Sequence, residues 1–202
     1  MLPGARISDA ERKYELLSDQ RMVVAGSTLY RIRALKDFGN VQAGTVGGFI
    51  QSEKNLSHLG DCWIADDACV YEDGAVSDAA QVRGRASVHG RARIFDRGQV
   101  LGNAEVFDDA WVFGTATVFD SARLFDRGQV RDEGLVFGNA TICGRGRVVA
   151  CGQVCGDRRV DGTAVVDGAE NTPPSISRTP RHHAAGRRPR PPRPRPPGGS
   201  RR

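Results

Sequence analysis

No stretch of this sequence approaches eighteen consecutive apolar residues, and no basic segment followed by an apolar one opens it. Neither a membrane span nor a signal peptide is expected. The five cysteines are an odd number without C-x-x-C spacing, which suits reduced thiols in a cytoplasm better than a disulfide framework. Histidine is scarce, with four residues in 202. Acidic residues are missing from 171–202, where nine arginines stand, so residues 1–170 hold 20 basic against 24 acidic side chains. The formal charge of +5 therefore belongs to the tail. Nucleic acid is not an expected partner of the mildly acidic body, although the basic tail has the charge for it.

What is abundant is an aliphatic residue at every sixth position. Counting from Ile64 gives Val70, Val76, Val82, Val88, Ile94, Val100, Val106, Val112, Val118, Leu124, Val130, Val136, Ile142, Val148, Val154, Val160 and Val166, eighteen positions without an insertion. Two residues before each is a small side chain, with Arg158 the large exception and Cys62 borderline. Two residues after each is Gly or Asp, except Glu72 and Ala150. In a strand the small residue and the aliphatic share a face, so one fills an interior and the other lets backbones close over it. The Gly or Asp that follows suits a corner with positive φ. Each six is thus a short strand and a bend, and such units form a core only by stacking. A helix is excluded, because a step of six drifts around its circumference and the Val, Thr and Gly content opposes it.

The [VI]-x-[GD]-x-[AG]-x run resembles the hexapeptide-repeat proteins, and the lead-in Arg33–Ile64, "RALKDFGNVQAGTVGGFIQSEKNLSHLGDCWI", looks like that of the YdcK-like members, described as acyltransferases and also met in phage and prophage genomes. The resemblance implies an all-β, single-stranded left-handed parallel β-helix with three hexads per coil. Left-handedness comes from the resemblance alone, since crossovers between parallel strands are otherwise right-handed. Eighteen hexads would make about six coils, a prism roughly 29 Å long at about 4.8 Å per coil. The expected organisation is an N-terminal cap over 1–60, the β-helix over 61–170 and an Arg/Pro-rich tail over 171–202. Within the cap, Ser8–Asp19 suggests a short polar helix, Ser27–Leu35 a strand, and Gly44–Gly48 a turn that lacks the Gly-Lys-Ser/Thr of a phosphate loop. The tail, with Pro173–Pro174 at its start, reads as extended or disordered chain with a +xxPxxP spacing at Arg188, Pro191 and Pro194.

Acyltransferases of this fold, by the same resemblance, are trimers that bind acyl-CoA between subunits and use a histidine as general base. Such a base needs a near-neutral pKa and a substrate within reach. His58, His182 and His183 lie outside the repeats, so His89 is the weak candidate, pointing outward near Arg83, Arg85 and Arg91 with no evident orienting carboxylate. The enclosing loop that such enzymes commonly insert is missing. Asp66, Asp96, Asp108, Asp120, Asp126 and Asp132 lack the spacing of a calcium loop and read as turn formers. Cys143, Cys151 and Cys155 lack metal-ligand spacing, so no metal is expected.

The residue after each aliphatic should face solvent, and in the middle coils it is Phe95, Phe107, Phe113, Phe119, Phe125 and Phe137. Spaced by eighteen, they pair as Phe95 over Phe113, Phe107 over Phe125 and Phe119 over Phe137, one pair per face. They form either a stabilising ladder or an apolar belt for another subunit. The near-identical segments 93–100 and 123–130 lie five hexads apart, hence on different faces, and read as repeat slippage. The function expected is a rigid, self-associating scaffold or binding protein without a cofactor. The alternative is an acyltransferase using acyl-CoA.

Overall fold

The computed structural model describes residues 11–168. Within them every regular element is a strand. The six-residue count is realised as a parallel β-solenoid of about seven turns: eighteen two-residue strands, Trp63–Ile64 through Val165–Val166, are dealt in rotation onto three faces. Strands eighteen residues apart pair in parallel, as with Val100 beside Val118 and Val106 beside Leu124. Inside runs one core, in which the aliphatic column from Ile64 to Val154 and alanines such as Ala86, Ala104 and Ala122 are fully or almost fully buried.

Parallel stacking begins before the regular count. Phe49–Ile50 pairs with Cys69–Val70, and Leu56 bridges to Val76. Ile50 and Leu56 are thus interior residues of a preceding coil, hidden from the count because eight residues, not six, separate Leu56 from Ile64.

The corner reading holds in the backbone. The residue two after the aliphatic has positive φ at all eight Asp and Glu corners, from Asp66 at 57° to Asp132 at 59°, and even at Ala150, at 49°. A Cβ on Gly60 would come 2.2 Å from the Asp78 carbonyl oxygen, so there the coils approach too closely for any side chain. Asp also does something that positive φ does not require. Asp66 Oδ2 accepts the Gly84 N–H at 2.9 Å, Asp126 Oδ2 that of Gly144 at 2.9 Å, and Asp132 Oδ2 that of Ala150 at 3.2 Å. Each carboxylate braces the corner one coil further on, and Glu72 does the same for Gly90 at 2.8 Å.

The helix expected over Ser8–Asp19 is overturned in its described part. Tyr14–Val24 is a strand, β1, paired antiparallel with β2, Ser27–Ala34, which pairs in turn with β3, Val46–Ile50, at the end of the first face. The intervening Ala25–Gly26 takes positive φ at both residues, 47° and 82°, the conformation of a two-residue hairpin turn. Buried Tyr14, with neighbours that pair across the hairpin, outweighs the local helix propensity. The Gly44–Gly48 segment is a turn only at its start, since Val46–Ile50 is extended. The tail, including His182, His183 and the proline motif, lies outside the described residues.

Candidate functional site

The first face carries the most elaborate side-chain cluster. Outward residues eighteen apart stack as a four-ring ladder: Tyr71 on His89 at 4.8 Å, His89 on Phe107 at 5.1 Å, and Phe107 on Phe125 at 4.9 Å. The other expected pairs form too, Phe95 on Phe113 at 4.8 Å and Phe119 on Phe137 at 4.9 Å, on the remaining faces. Interplanar angles between 3° and 12° make these parallel stacks. All six phenylalanines are half-buried, because stacking covers ring faces and leaves mainly edges to solvent. His89 is therefore a rung, which the spacing of eighteen could have revealed had the column been read beyond phenylalanine.

Its side chain is 20% exposed and lies between two carboxylates, Glu72 Oε2 at 3.8 Å from Nδ1 and Glu105 Oε1 at 3.5 Å from Nε2. The expectation that His89 lacks an orienting carboxylate is thus corrected. Both glutamates come from adjacent coils, Glu72 from a corner and Glu105 from the strand beside Ser87, so neither is near in sequence. Glu105 also pairs with Arg123 at 2.8 Å, whose guanidinium lies 5.3 Å from the Phe107 ring centre. Of the arginines expected near His89, Arg91 pairs with Asp109 at 2.8 Å and Arg83 bonds Gln81 at 3.2 Å. Burial raises the Tyr71 phenol above its ordinary pKa, with a Ser87 hydrogen bond opposing. A general base needs one ring nitrogen free for the substrate proton. Here each ring nitrogen faces a carboxylate, so neither is free for that role.

A second cluster sits at the N-terminal end. Lys13, 1% exposed, donates from Nζ to the Gly60 and Cys62 carbonyls at 3.1 and 2.9 Å and lies 3.2 Å from Cys62 Sγ. His58 stacks on Tyr14 at 4.2 Å, and its Nδ1 accepts the Lys13 backbone N–H at 3.2 Å, leaving Nε2 as a buried nitrogen without a partner. Burial lowers the Lys13 and His58 pKa values and raises that of the Cys62 thiol. A neutral thiol sealed in this way is a poor nucleophile.

The surface depressions are open grooves. One of about 600 Å³ follows a corner past Arg91, Asp109, Arg127 and Arg145. Another, of about 630 Å³, lies between the Gly39–Val41 loop and the second face. Among the described residues no three His, Cys, Asp or Glu side chains stand together as a metal site, and no helix is long and apolar enough to cross a membrane.

No family model matches the chain. A 66-residue alignment, 38% identical, relates it to the uncharacterized acetyltransferase YdcK of Escherichia coli strain K12. That alignment takes in 29% of this chain and 20% of the relative, so the chain spans about a fifth of the relative's length. With the parallel solenoid, the similarity fits a hexapeptide-repeat β-helix.

Proposed function

We propose that this protein is a left-handed hexapeptide-repeat β-helix that works as a rigid, self-associating scaffold or binding protein in the cytoplasm. The carrying observation is the unbroken repeat from Ile64 to Val166, whose strands alternate with bends and leave open grooves such as those beside Arg91 and Gln81. Half-buried phenyl edges on all three faces supply apolar surface for a second copy. A second reading, acyl transfer from acyl-CoA with His89 as the base, is favoured by the name of the bacterial relative.

Light scattering and thermal unfolding of the full chain separate the two. The scaffold reading expects an oligomer that Phe119→Asp weakens, with a melting temperature indifferent to acetyl-CoA. A specific ligand at a hundredfold its dissociation constant would add about 2.7 kcal/mol, a shift of roughly 5–10 °C for a domain of this size. A shift of that order, with transferase activity lost in His89→Phe, establishes the second reading. A monomer without a shift overturns the self-association.

A further inference from the structure

The aromatic ladders end in different ways. On the first face Tyr71 packs against the hairpin residues Leu29 and Met22, and at the far end the register places buried Cys143 after Phe125. On the second face Phe119 and Phe137 lie in register between Leu101 and Cys155. On the third face the register continues from Phe95 to Ser77, which is too small to be a rung. Ala75, on the same strand, is likewise too small to cover Arg93. The result is a recess of about 330 Å³ bounded by Asp73, Ala75, Ser77, Arg93, Phe95 and Trp111. It has the place, relative to Phe95, that Tyr71 fills relative to His89.

Trp111 is the aromatic residue that the ladders do not explain. It is turned 76° from Phe95 and 74° from Phe113, so it is no rung, and at 39% it is unusually exposed for its size. The polar groups around the recess divide clearly. The Asp78 carboxylate is engaged by the Ser77 hydroxyl at 2.9 Å and the Asp96 N–H at 3.2 Å. Asp73 and Arg93 have no ion-pair partner among the described residues. The recess therefore offers one aromatic wall, one open ring face, one acceptor and one donor.

We propose that this recess binds a neutral pyranose, one sugar ring of a glycan. The C–H face of a pyranose fits an aromatic wall, and its hydroxyls accept from a guanidinium and donate to a carboxylate. Two acids against one arginine disfavour a phosphate or carboxylate ligand, and a purely apolar ring would leave Asp73 and Arg93 desolvated without partners. The volume lies at the small end of ligand pockets, suited to one ring. This gives the binding reading a ligand class, and the oligomer experiment above can fail without touching it.

The test is titration of the full chain with methyl glycosides of glucose, galactose, mannose and N-acetylglucosamine, and with an array of neutral glycans, read by tryptophan fluorescence and NMR. The expected result is saturable binding in the millimolar range that weakens about tenfold or more in Trp111→Ala. Ser77→Phe adds the missing rung, so it should abolish binding while the melting temperature holds or rises. Absence of saturable binding to every probe, or binding that survives Ser77→Phe, overturns the proposal. If Ser77→Phe does not fold, the surface variant Trp111→Ala decides alone: undiminished binding there overturns it, and binding lost without a change in oligomer size supports it.

Discussion

The two ends of the solenoid solve one problem to different degrees. In a parallel stack the N–H groups of one coil serve the carbonyls of the next, as Trp63 N–H does for Ala80 and Ala65 N–H for Val82. The first coils therefore have carbonyls with no coil behind them. Side chains stand in: Lys13 for Gly60 and Cys62, the Tyr14 hydroxyl for Leu56 at 2.7 Å, and the Asn55 amide for Glu72 and Gly74 at 3.0 and 2.8 Å. At the other end, within residues 11–168, Val165 is 52% exposed, and a Cβ on Gly156 or Gly162 would meet nothing within 4 Å. The corner braces fade in the same direction, since the last carboxylate that braces a corner belongs to Asp132. A repeat specifies its own interior, whereas an end needs residues that the repeat does not contain.

The largest expected effect comes from removing the plug. Lys13→Met keeps the apolar stem and leaves the buried Cys62 carbonyl and the partly buried Gly60 carbonyl without the lysine donor, at a cost of about 2–4 kcal/mol. Val165→Ala, at an exposed position of the last described strand, should change stability by less than about 0.5 kcal/mol. Urea unfolding of both variants measures the contrast. Equal effects would break the comparison, because the ammonium would then contribute no more than an exposed valine.

A smaller effect separates the ends by pH. Burial lowers the pKa of His58, with Glu53 opposing and Lys13, Arg12 and Lys36 reinforcing the shift. The neutral ring accepts from Lys13 N–H, and a second proton would occupy that accepting nitrogen. Because the folded pKa lies below the unfolded value of about 6.5, the unfolded chain binds more protons in that window, and stability falls as pH falls through it. His58→Phe keeps a ring against Tyr14 and removes the titration. Its stability, lower at neutral pH, should lose less between pH 7 and pH 5 than that of the unaltered chain. An unchanged slope would assign the acid sensitivity elsewhere.

The interior was legible because one residue type recurs at one step: the aliphatics at six, the small residues before them and the Gly or Asp corners after them all take their expected places. The ladder was half legible. Phenylalanine marked its pairs, while Tyr71 and His89 continued the same column under different letters. Glu72 and Glu105 could not be found from local spacing, since they reach His89 from neighbouring coils. In the cap the Ser27–Leu35 strand was legible, whereas Ser8–Asp19 was not, because its fold depends on pairing between Tyr14–Val24 and Ser27–Ala34 and on Lys13 meeting carbonyls 47 and 49 residues away. The extra coil escaped notice through two added residues between Leu56 and Ile64.

The smallest prediction concerns the corner at which the bracing stops. Ala150 holds φ at 49°, a conformation disfavoured for a residue with a Cβ, and it has no carboxylate to offer the next coil. Ala150→Gly removes the strain without adding a bond and should stabilise the chain by about 0.5–1 kcal/mol. Ala150→Asp tolerates the conformation less well than Gly, yet it places a carboxylate where Asp132 stands one coil earlier, positioned to accept the Gly168 N–H. That added hydrogen bond is worth about 0.5–1.5 kcal/mol. If bracing matters in the last described coils, Asp equals or exceeds Gly in thermal unfolding. If Gly gains and Asp does not, the corner aspartates serve the turn alone, and the fading of braces along the solenoid has no energetic meaning.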